Sequence, residues 1–414
     1  MDLTLRLLRH GYDGVAADRE ARGVGADAGT HASRLAGRRA VVVRSEPGVR
    51  FFYDESAAER KGVVPPPLAW LLFGRGALHG MDGVAHRERK QVMVDVLSAD
   101  GLGPVVDRVA AELTAATERW PGRQVSVHPA LVSAYGRAVL QWAGLDLPDR
   151  RADQLAHRLG QQVDGFGFAG AAYLRGWASR LWWNRWATRL AADVRSGRAG
   201  VPEDSPAARL VGGLDVDDRT AGVELGNILR PTIAVAYLGT FAALRLAEHP
   251  EWRERLADPG EELARLAFAQ EVRRTTPFAP VLAARATRPA RIDGVRVRRG
   301  DRLVLDIMGI DHDPARWPAP HAFRPERFLD HAPGAFDLVP QGGGHPSGHR
   351  CPGESLTLRV LGATLRVLAP MPYSVVDDVV DRTRMPTTPR DGLLVSVPTG
   401  ARTRSAPASS PGSA

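Results

Sequence analysis

Cysteine occurs once in the 414 residues, at Cys351, so no internal disulfide framework can staple the fold. Lysine is almost as scarce: Lys61 and Lys90 are the only two, and nearly all positive charge is arginine. The net charge of +8 is therefore carried by scattered guanidinium groups. It comes without the dense basic tract, zinc-finger spacing or aromatic RNA-binding motif that a nucleic-acid partner would bring. No apolar run reaches the ~18–20 residues of a membrane span. The opening MDLTLRLLRHGYDG has no long apolar core of the signal-peptide kind. These absences predict a cytoplasmic protein with no transmembrane anchor and no nucleic-acid partner.

What remains is the make-up of a globular chain with a large core, at 44% hydrophobic and 25% charged residues. Length alone suggests two or three domains. No internal repeat or interior linker marks a boundary, so one domain over residues 1–400 is expected. The small, polar segment ARTRSAPASSPGSA, 401–414, is expected to be a disordered tail. RAVVVRSEPGVRFFYD predicts an early β-hairpin turning at Ser45–Gly48. The pattern from about Ala85 to Leu246 is mostly helical. RIDGVRVRRGDRLVLDIMG predicts short strands joined by Asp-Gly and Gly-Asp turns, and GLLVSVP a last strand. The fold class expected is mainly α with small β-sheets.

The lone cysteine lies in LVPQGGGHPSGHRCPGESLTLRVLGATLRVL. A glycine-rich loop presents the thiol, and Leu358, Leu361, Leu365 and Leu368 mark a helix starting just behind it. Orphan N–H groups at a helix N-terminus stabilise a thiolate, which suits a metal ligand. His345, His349 and Cys351 could be assembled into a zinc site, although no fourth ligand is evident. A single thiolate to haem iron needs no further cysteine and leaves His349 to meet a haem propionate.

A second stretch, NILRPTIAVAYLGTF, carries Arg230 and Pro231 in the middle of an apolar helical run. Proline inside a helix costs about 3 kcal/mol, and a buried guanidinium keeps its charge and demands an anion. A third, GWASRLWWNRWATRL, sets Trp177, Trp182, Trp183 and Trp186 among arginines. It is consistent with an amphipathic packing helix, with a border of the substrate entrance, or with a sticky surface for a lipid or a second subunit.

In EVRRTTPF, Glu271 and Arg274 are three apart and can pair on a helix face. Downstream come Pro325-Glu326-Arg327-Phe328 and then the cysteine loop. This ordered series resembles the cytochrome P450 superfamily. The resemblance implies a triangular helical prism with haem b between a long distal helix and the cysteine-loop helix. It makes Glu271, Arg274 and Arg327 a structural triad and Cys351 the axial thiolate. The family's usual loop has phenylalanine seven residues and glycine four residues before the cysteine. Here Gly344 and Ser347 stand there.

PQGGG and GHRCPGE look instead like the loop of one branch, the hydrogen-peroxide-using fatty-acid peroxygenases and decarboxylases, with Gly344 to Gly348 about one residue shorter. LFGRGALHGMDGVAHRERK (Leu72 to Lys90), LRPTIA (Leu229 to Ala234) and RMPTTPRDG resemble the same branch. The likeness runs over roughly residues 38 to 398. It implies that Arg230, placed where monooxygenases carry an acid–alcohol pair, binds a substrate carboxylate that itself moves the proton needed for O–O cleavage. Peroxide then replaces dioxygen and a reductase, and oxidation falls on the α or β carbon. Hydroxy acids, or carbon dioxide and a terminal alkene, are the implied products; a reductase-dependent monooxygenase and a haem sensor are the alternatives. Pro231 is expected to bend or interrupt the helix. His79 falls at a distal position bearing on the product, with Phe73, Phe166, Phe168 and Phe278 as further pocket residues. Arg60, His86, Lys90, Arg285 and His349 are the implied partners of the haem propionates.

Overall fold

The computed structural model of the chain describes residues 2–25, 28–98, 101–166 and 170–400. The expected tail, 401–414, lies outside the described residues, as does Phe168. Helices α1 (Leu3–His10) and α2 (Gly14–Glu20) precede strands β1 (Thr30–Leu35) and β2 (Arg38–Val43). These strands form the first hairpin, paired antiparallel from Thr30–Val43 to Leu35–Arg38. The hairpin expected between Arg39 and Asp54 does not form: its first half is β2, and its second half is helix α3 (Glu46–Tyr53). The cause is local. Ser45 accepts a hydrogen bond from Gly48 N at 3.2 Å, Glu46 sits in the first turn, and Pro47 stands where its missing N–H costs nothing. That N-terminal signature outweighs the β-rich composition of the residues that follow.

Strand β3 (Ala58–Glu59) and helices α4 (Pro66–Leu72), α5 (Gly83–Val96) and α6 (Gly103–Thr117) lead to β4 (Gln124–Ser126). Helices α7 (Val127–Trp142), α8 (Asp149–Asp164), α9 (Ala171–Arg195) and α10 (Pro206–Gly213) follow, and then the long α11 (Asp218–Glu248). Beyond α12 (Pro250–Leu256) and α13 (Glu262–Thr275) come strands β5 (Val281–Ala286), β6 (Ala290–Ile292), β7 (Val295–Val297) and β8 (Arg302–Asp306). Helices α14 (Ile307–Asp311) and α15 (Glu354–Leu368) and strands β9 (Ser374–Asp377) and β10 (Leu394–Ser396) complete the chain. The strands expected in RIDGVRVRRGDRLVLD and GLLVSVP are β6 to β8 and β10. Asp293 and Gly294, at φ 46° and 79°, make the tight turn between β6 and β7.

The strands form small sheets at the margin of the helices. One has five strands in the order β1-β2-β8-β5-β3, one has three in the order β4-β10-β9, and β6 pairs with β7. The helical core is built on α11, which packs against α7, α8, α9 and α15. By length and composition α11 could cross a membrane, but 89% of its most apolar window is buried inside the fold. Its glycines allow the close approach: a Cβ on Gly222 would lie 2.6 Å from the Ala187 carbonyl carbon, and one on Gly226 2.6 Å from Trp183 Nε1. The tryptophan-rich segment therefore packs inward on α11 through Trp183, which donates to Gly222 O at 3.3 Å. Arg151 and Arg158 of α8 lie over the Trp182 ring. Pro231 does not interrupt α11, which continues through it as one helix. The buried residues before and after it in the helix hold α11 where the missing N–H would weaken it.

The Glu271–Arg274 pair is wholly buried, with Arg274 Nε and Nη2 each 2.7 Å from the carboxylate. Arg327 Nε stands 3.6 Å from Glu271 Oε1, and Arg324 N donates to the same oxygen at 2.8 Å. Arg274 also donates to the carbonyls of Asp311 and Pro320. One fork-shaped cation thus ties α13 to the chain that leads into the cysteine loop. Removing one partner of a buried pair costs about 3–5 kcal/mol, because the other charge is left uncompensated. Arg274→Ala should lower the free energy of unfolding in urea by that amount; an unchanged midpoint would show that the pair does not hold this junction.

Candidate active site

From Ala221 to Leu244, every residue of α11 is buried except Pro231 and Ala234. These two lie one turn apart on the same face. Accessible surface at the centre of an otherwise enclosed helix opens onto an interior cleft. His79, in the turn Leu78–Gly80 after α4, likewise keeps accessible surface while protein surrounds it. Its imidazole is held well below the ordinary histidine range, first by desolvation and then by the positive charges of Arg230, Lys90, His86 and His349. The Phe73 ring stacks on it with centroids 4.1 Å apart.

Arg230 is 3% exposed. Its Nη2 donates to Asn227 Oδ1 at 2.9 Å, while Nη1 is buried without a partner. Asn227 Nδ2 donates in turn to Glu224 Oε2 at 2.8 Å. Glu224 also accepts from Leu78 N at 2.7 Å and from Arg89 Nη1 at 3.2 Å. The guanidinium therefore has no direct carboxylate partner of its own: a neutral amide stands between it and Glu224. Burial lowers its pKa to about 9, offset in part by Glu224, so it stays cationic at neutral pH. Glu224, Asn227 and Arg230 follow one another at helical i, i+3 steps in ELGNILR, a spacing visible in the sequence whose role was missed. The same chain of bonds reaches Leu78, the neighbour of His79, so one network positions both distal side chains.

On the other side, Cys351 is half-buried just ahead of α15. Its N–H donates to Gln341 O at 3.0 Å, and Gln341 Nε2 approaches Sγ at 3.7 Å. Burial pushes the thiol pKa up, opposed by the Gly353 N–H, Lys90 and Gln341. Gln341 lies in the PQGGG part of the loop, and its amide is positioned to tune the sulfur. Glu354, in the first turn of α15, is bound by Arg273 and Arg350, each at 2.6 Å, which fixes the end of the loop.

The cations expected to meet haem propionates gather unevenly. His86 and His349 stack at 4.2 Å, His349 Nε2 lies 3.2 Å from Asp82, and Lys90 Nζ donates to Arg350 O at 2.8 Å. Burial lowers Lys90 to about 8 and His86 to about 4. Arg60 lies over the Phe52 ring, and its Nη1 is buried without a partner, as is His86 Nδ1. Arg285 stands apart from these bonds: it is paired with Glu59 at 2.6 Å and is 35% exposed. Phe73 and Phe278 join Leu72, Val163, Phe166, Ala234 and Tyr237 in one apolar cluster. The zinc alternative of His345, His349 and Cys351 is not assembled as one ligand group among the described residues. Among the described residues, the set that could hold a metal is Glu55, His86 and His349, without Cys351.

The sequence profile described as Cytochrome P450 matches residues 266–366. The solved structure of cytochrome P450SP alpha (CYP152B1) in complex with (R)-ibuprophen is 32% identical at a TM-score of 0.89, covering 96% of this chain and 98% of that one. Cytochrome P450EX alpha (CYP152N1) with myristic acid is 28% identical at 0.87, covering 95% and 96%. Among curated sequences, cytochrome P450 137 of Mycobacterium tuberculosis is 37% identical over 141 residues, which span 33% of this chain and only 29% of that protein. The chain belongs to the cytochrome P450 family. Within it the chain stands with the CYP152 proteins, the branch that its cysteine loop and LRPTIA segment resemble.

The family's cofactor is haem with a cysteine thiolate as axial ligand, and the residues present fit it. Cys351 offers a single free thiol that feels Lys90, Lys90 in turn acts on His79, and Arg60 and His86 carry unpartnered donors. Cys351→Ala should abolish the thiolate-type absorption of the ferrous carbonyl adduct while far-ultraviolet circular dichroism stays unchanged. Retention of that absorption would assign the ligand elsewhere.

Proposed function

We propose that this protein is a haem-thiolate peroxygenase that uses hydrogen peroxide to hydroxylate carboxylic acids, chiefly fatty acids, at the α or β carbon. The observation that carries this is Arg230: a buried guanidinium with one nitrogen unpartnered and the other on a neutral amide, beside the only open face of α11 between Ala221 and Leu244. A desolvated cation held this way is a seat for an anion, and a carboxylate fills it by charge-assisted and potentially bidentate bonds. Two structural neighbours hold carboxylic acids, myristic acid and ibuprofen, in agreement with that chemistry.

When bound, haem with its thiolate supplies O–O cleavage and the oxidising equivalent. The protein's share is binding, orientation and proton placement. Arg230 fixes the carboxylate, which brings Cα and Cβ nearest the reacting centre. Thr232 and Ile233 follow Pro231, so no side-chain acid stands at this part of the helix. The bound carboxylate is then the group that moves a proton between the peroxide oxygens. The overall change converts acid and peroxide to hydroxy acid and water. The alternative outcome at Cβ gives terminal alkene, carbon dioxide and two waters. No redox partner is needed for either. Lys90 and His349, with His86 and Arg60, are the proposed propionate partners. A single domain over residues 1–400 and a cytoplasmic location complete the proposal.

Arg230→Ala should weaken fatty-acid binding by ~2–5 kcal/mol and slow peroxide turnover in parallel, both measured on haem-loaded protein. A short carboxylic acid added with a non-acid substrate should restore part of the rate. Methyl esters should be poor substrates of the unmodified enzyme; equal rates for esters and acids, with an active Arg230→Ala, would exclude substrate-assisted catalysis.

His79 bears on the product branch. Its depressed pKa keeps the ring neutral through the ordinary histidine titration near ~6.5, so it acts as a neutral hydrogen-bonding group. His79→Gln should retain peroxide turnover while changing the ratio of alkene to hydroxy acid, read by mass spectrometry. A constant ratio across chain lengths would leave it a packing role against Phe73.

A further inference from the structure

The open face of α11 has two ends. It starts at Arg230, runs over Pro231 and Ala234, and stops at Tyr237, which is 5% exposed. Arg230, Ala234 and Tyr237 stand at i, i+4 and i+7, on one stripe of the helix. The phenol does not swing freely. Its hydroxyl donates to Asp164 Oδ1 at the end of α8. Phe278 meets the ring edge-on at 5.7 Å, and His128 of α7 backs it at 4.6 Å. His128 is itself held by a 3.1 Å contact with Thr240 Oγ1, and Phe278 by Tyr12, whose hydroxyl donates to the Phe278 carbonyl at 3.0 Å. The ring belongs to the apolar cluster that also contains Phe73, Phe166 and Phe278. The apolar cluster that ends in this ring thus includes Ala234, one turn of helix from the carboxylate seat.

We propose that Tyr237, locked by Asp164, is the end-stop of the acyl channel and selects medium-chain carboxylic acids. The inference rests on the carboxylate seat assigned above to Arg230 and adds the length of the substrate. Seven residues of helix rise about 10 Å. Helical side chains lean toward the helix N-terminus, as Arg230 does toward Asn227, so the backbone rise sets the scale of the separation. With C–C bonds of ~1.5 Å in a zigzag, an extended chain covers about 10 Å in roughly eight carbons. A longer chain must displace the ring, which means breaking its buried hydrogen bond to Asp164 and its packing against Phe278.

The test is calorimetric binding of straight-chain acids from six to eighteen carbons to haem-loaded protein, without peroxide. Each added methylene buries apolar surface and should tighten binding about fourfold until the chain meets Tyr237; further carbons should then add nothing or weaken it. In Tyr237→Ala the rise should continue for several more carbons. Tyr237→Leu, which keeps more of the packing, should move the break in the same direction if the alanine variant folds poorly. Asp164→Ala, which frees the hydroxyl and leaves the ring in place, should blunt the break. Affinity that rises smoothly to eighteen carbons in the unmodified protein, or a break that stays put in the Tyr237 variants, would overturn the end-stop. Acids that bind with the expected break but give no peroxide-driven product would overturn the proposed activity and leave the end-stop intact. Failure of acids of every length to bind would overturn both.

Discussion

The constraint on which the site depends is a guanidinium buried in the middle of the core helix without a carboxylate of its own. In water such a charge is solvated; in the protein interior its desolvation is offset only by what the fold supplies. The fold supplies an amide. Had Asn227 been an acid, Arg230 would sit in a closed ion pair with little left to offer a ligand. With asparagine there, one nitrogen is anchored and the other remains unpartnered. Glu224 lies one step further along the relay, and its charge is shared with Arg89 and the Leu78 N–H rather than spent on Arg230. Direction and reserve are both set by that sequence of partners.

The relay also explains why two distant segments act as a unit. Leu78 N is bonded to Glu224, so the turn that carries His79 is pinned to the helix that carries Arg230. Arg180, fully buried in α9, bonds the Leu71 and Leu72 carbonyls at the end of α4 and fixes the approach to Phe73 from the other direction. The distal pocket is thus framed by hydrogen bonds to backbone atoms, which hold position without closing the space over Pro231 and Ala234.

Legibility from sequence followed the range of the interactions. Glu271 with Arg274, and Cys351 ahead of α15, are short-range patterns whose partners lie within a few residues, and both were readable. The Ser45–Tyr53 segment was misjudged because β-rich composition was weighed above a cap: Ser-Glu-Pro-Gly starts a helix whatever follows. Pro231 is expected to bend or interrupt α11, since propensity counts against it, and the helix runs through it without interruption; the tertiary packing that overrides propensity is not written in the local sequence. Asn227 was in plain view three residues before Arg230, yet its role appears only when burial removes water as the competing partner. Tyr237 and Asp164 are 73 residues apart, and nothing local in either segment announces their bond.

The electrostatics of the interior point outward to what completes it. Arg60, His86, Lys90, His349, Arg180 and Arg230 all lie buried or half-buried around the cleft, and the acids among them are fewer: Glu224 is shared, and Asp82 is taken by His349 and two backbone N–H groups. Burial lowers the pKa of Lys90 to about 8 and of Arg230 to about 9, and it holds His79 well below its usual range. Each shift has the sign that desolvation of a cation produces. The propionates and the substrate carboxylate of the proposed function are anions of the charge that these cations attract. An anion that binds the folded chain and not the unfolded one adds to stability by mass action. The buried positive charge that costs the fold desolvation is the same charge that favours an anionic ligand.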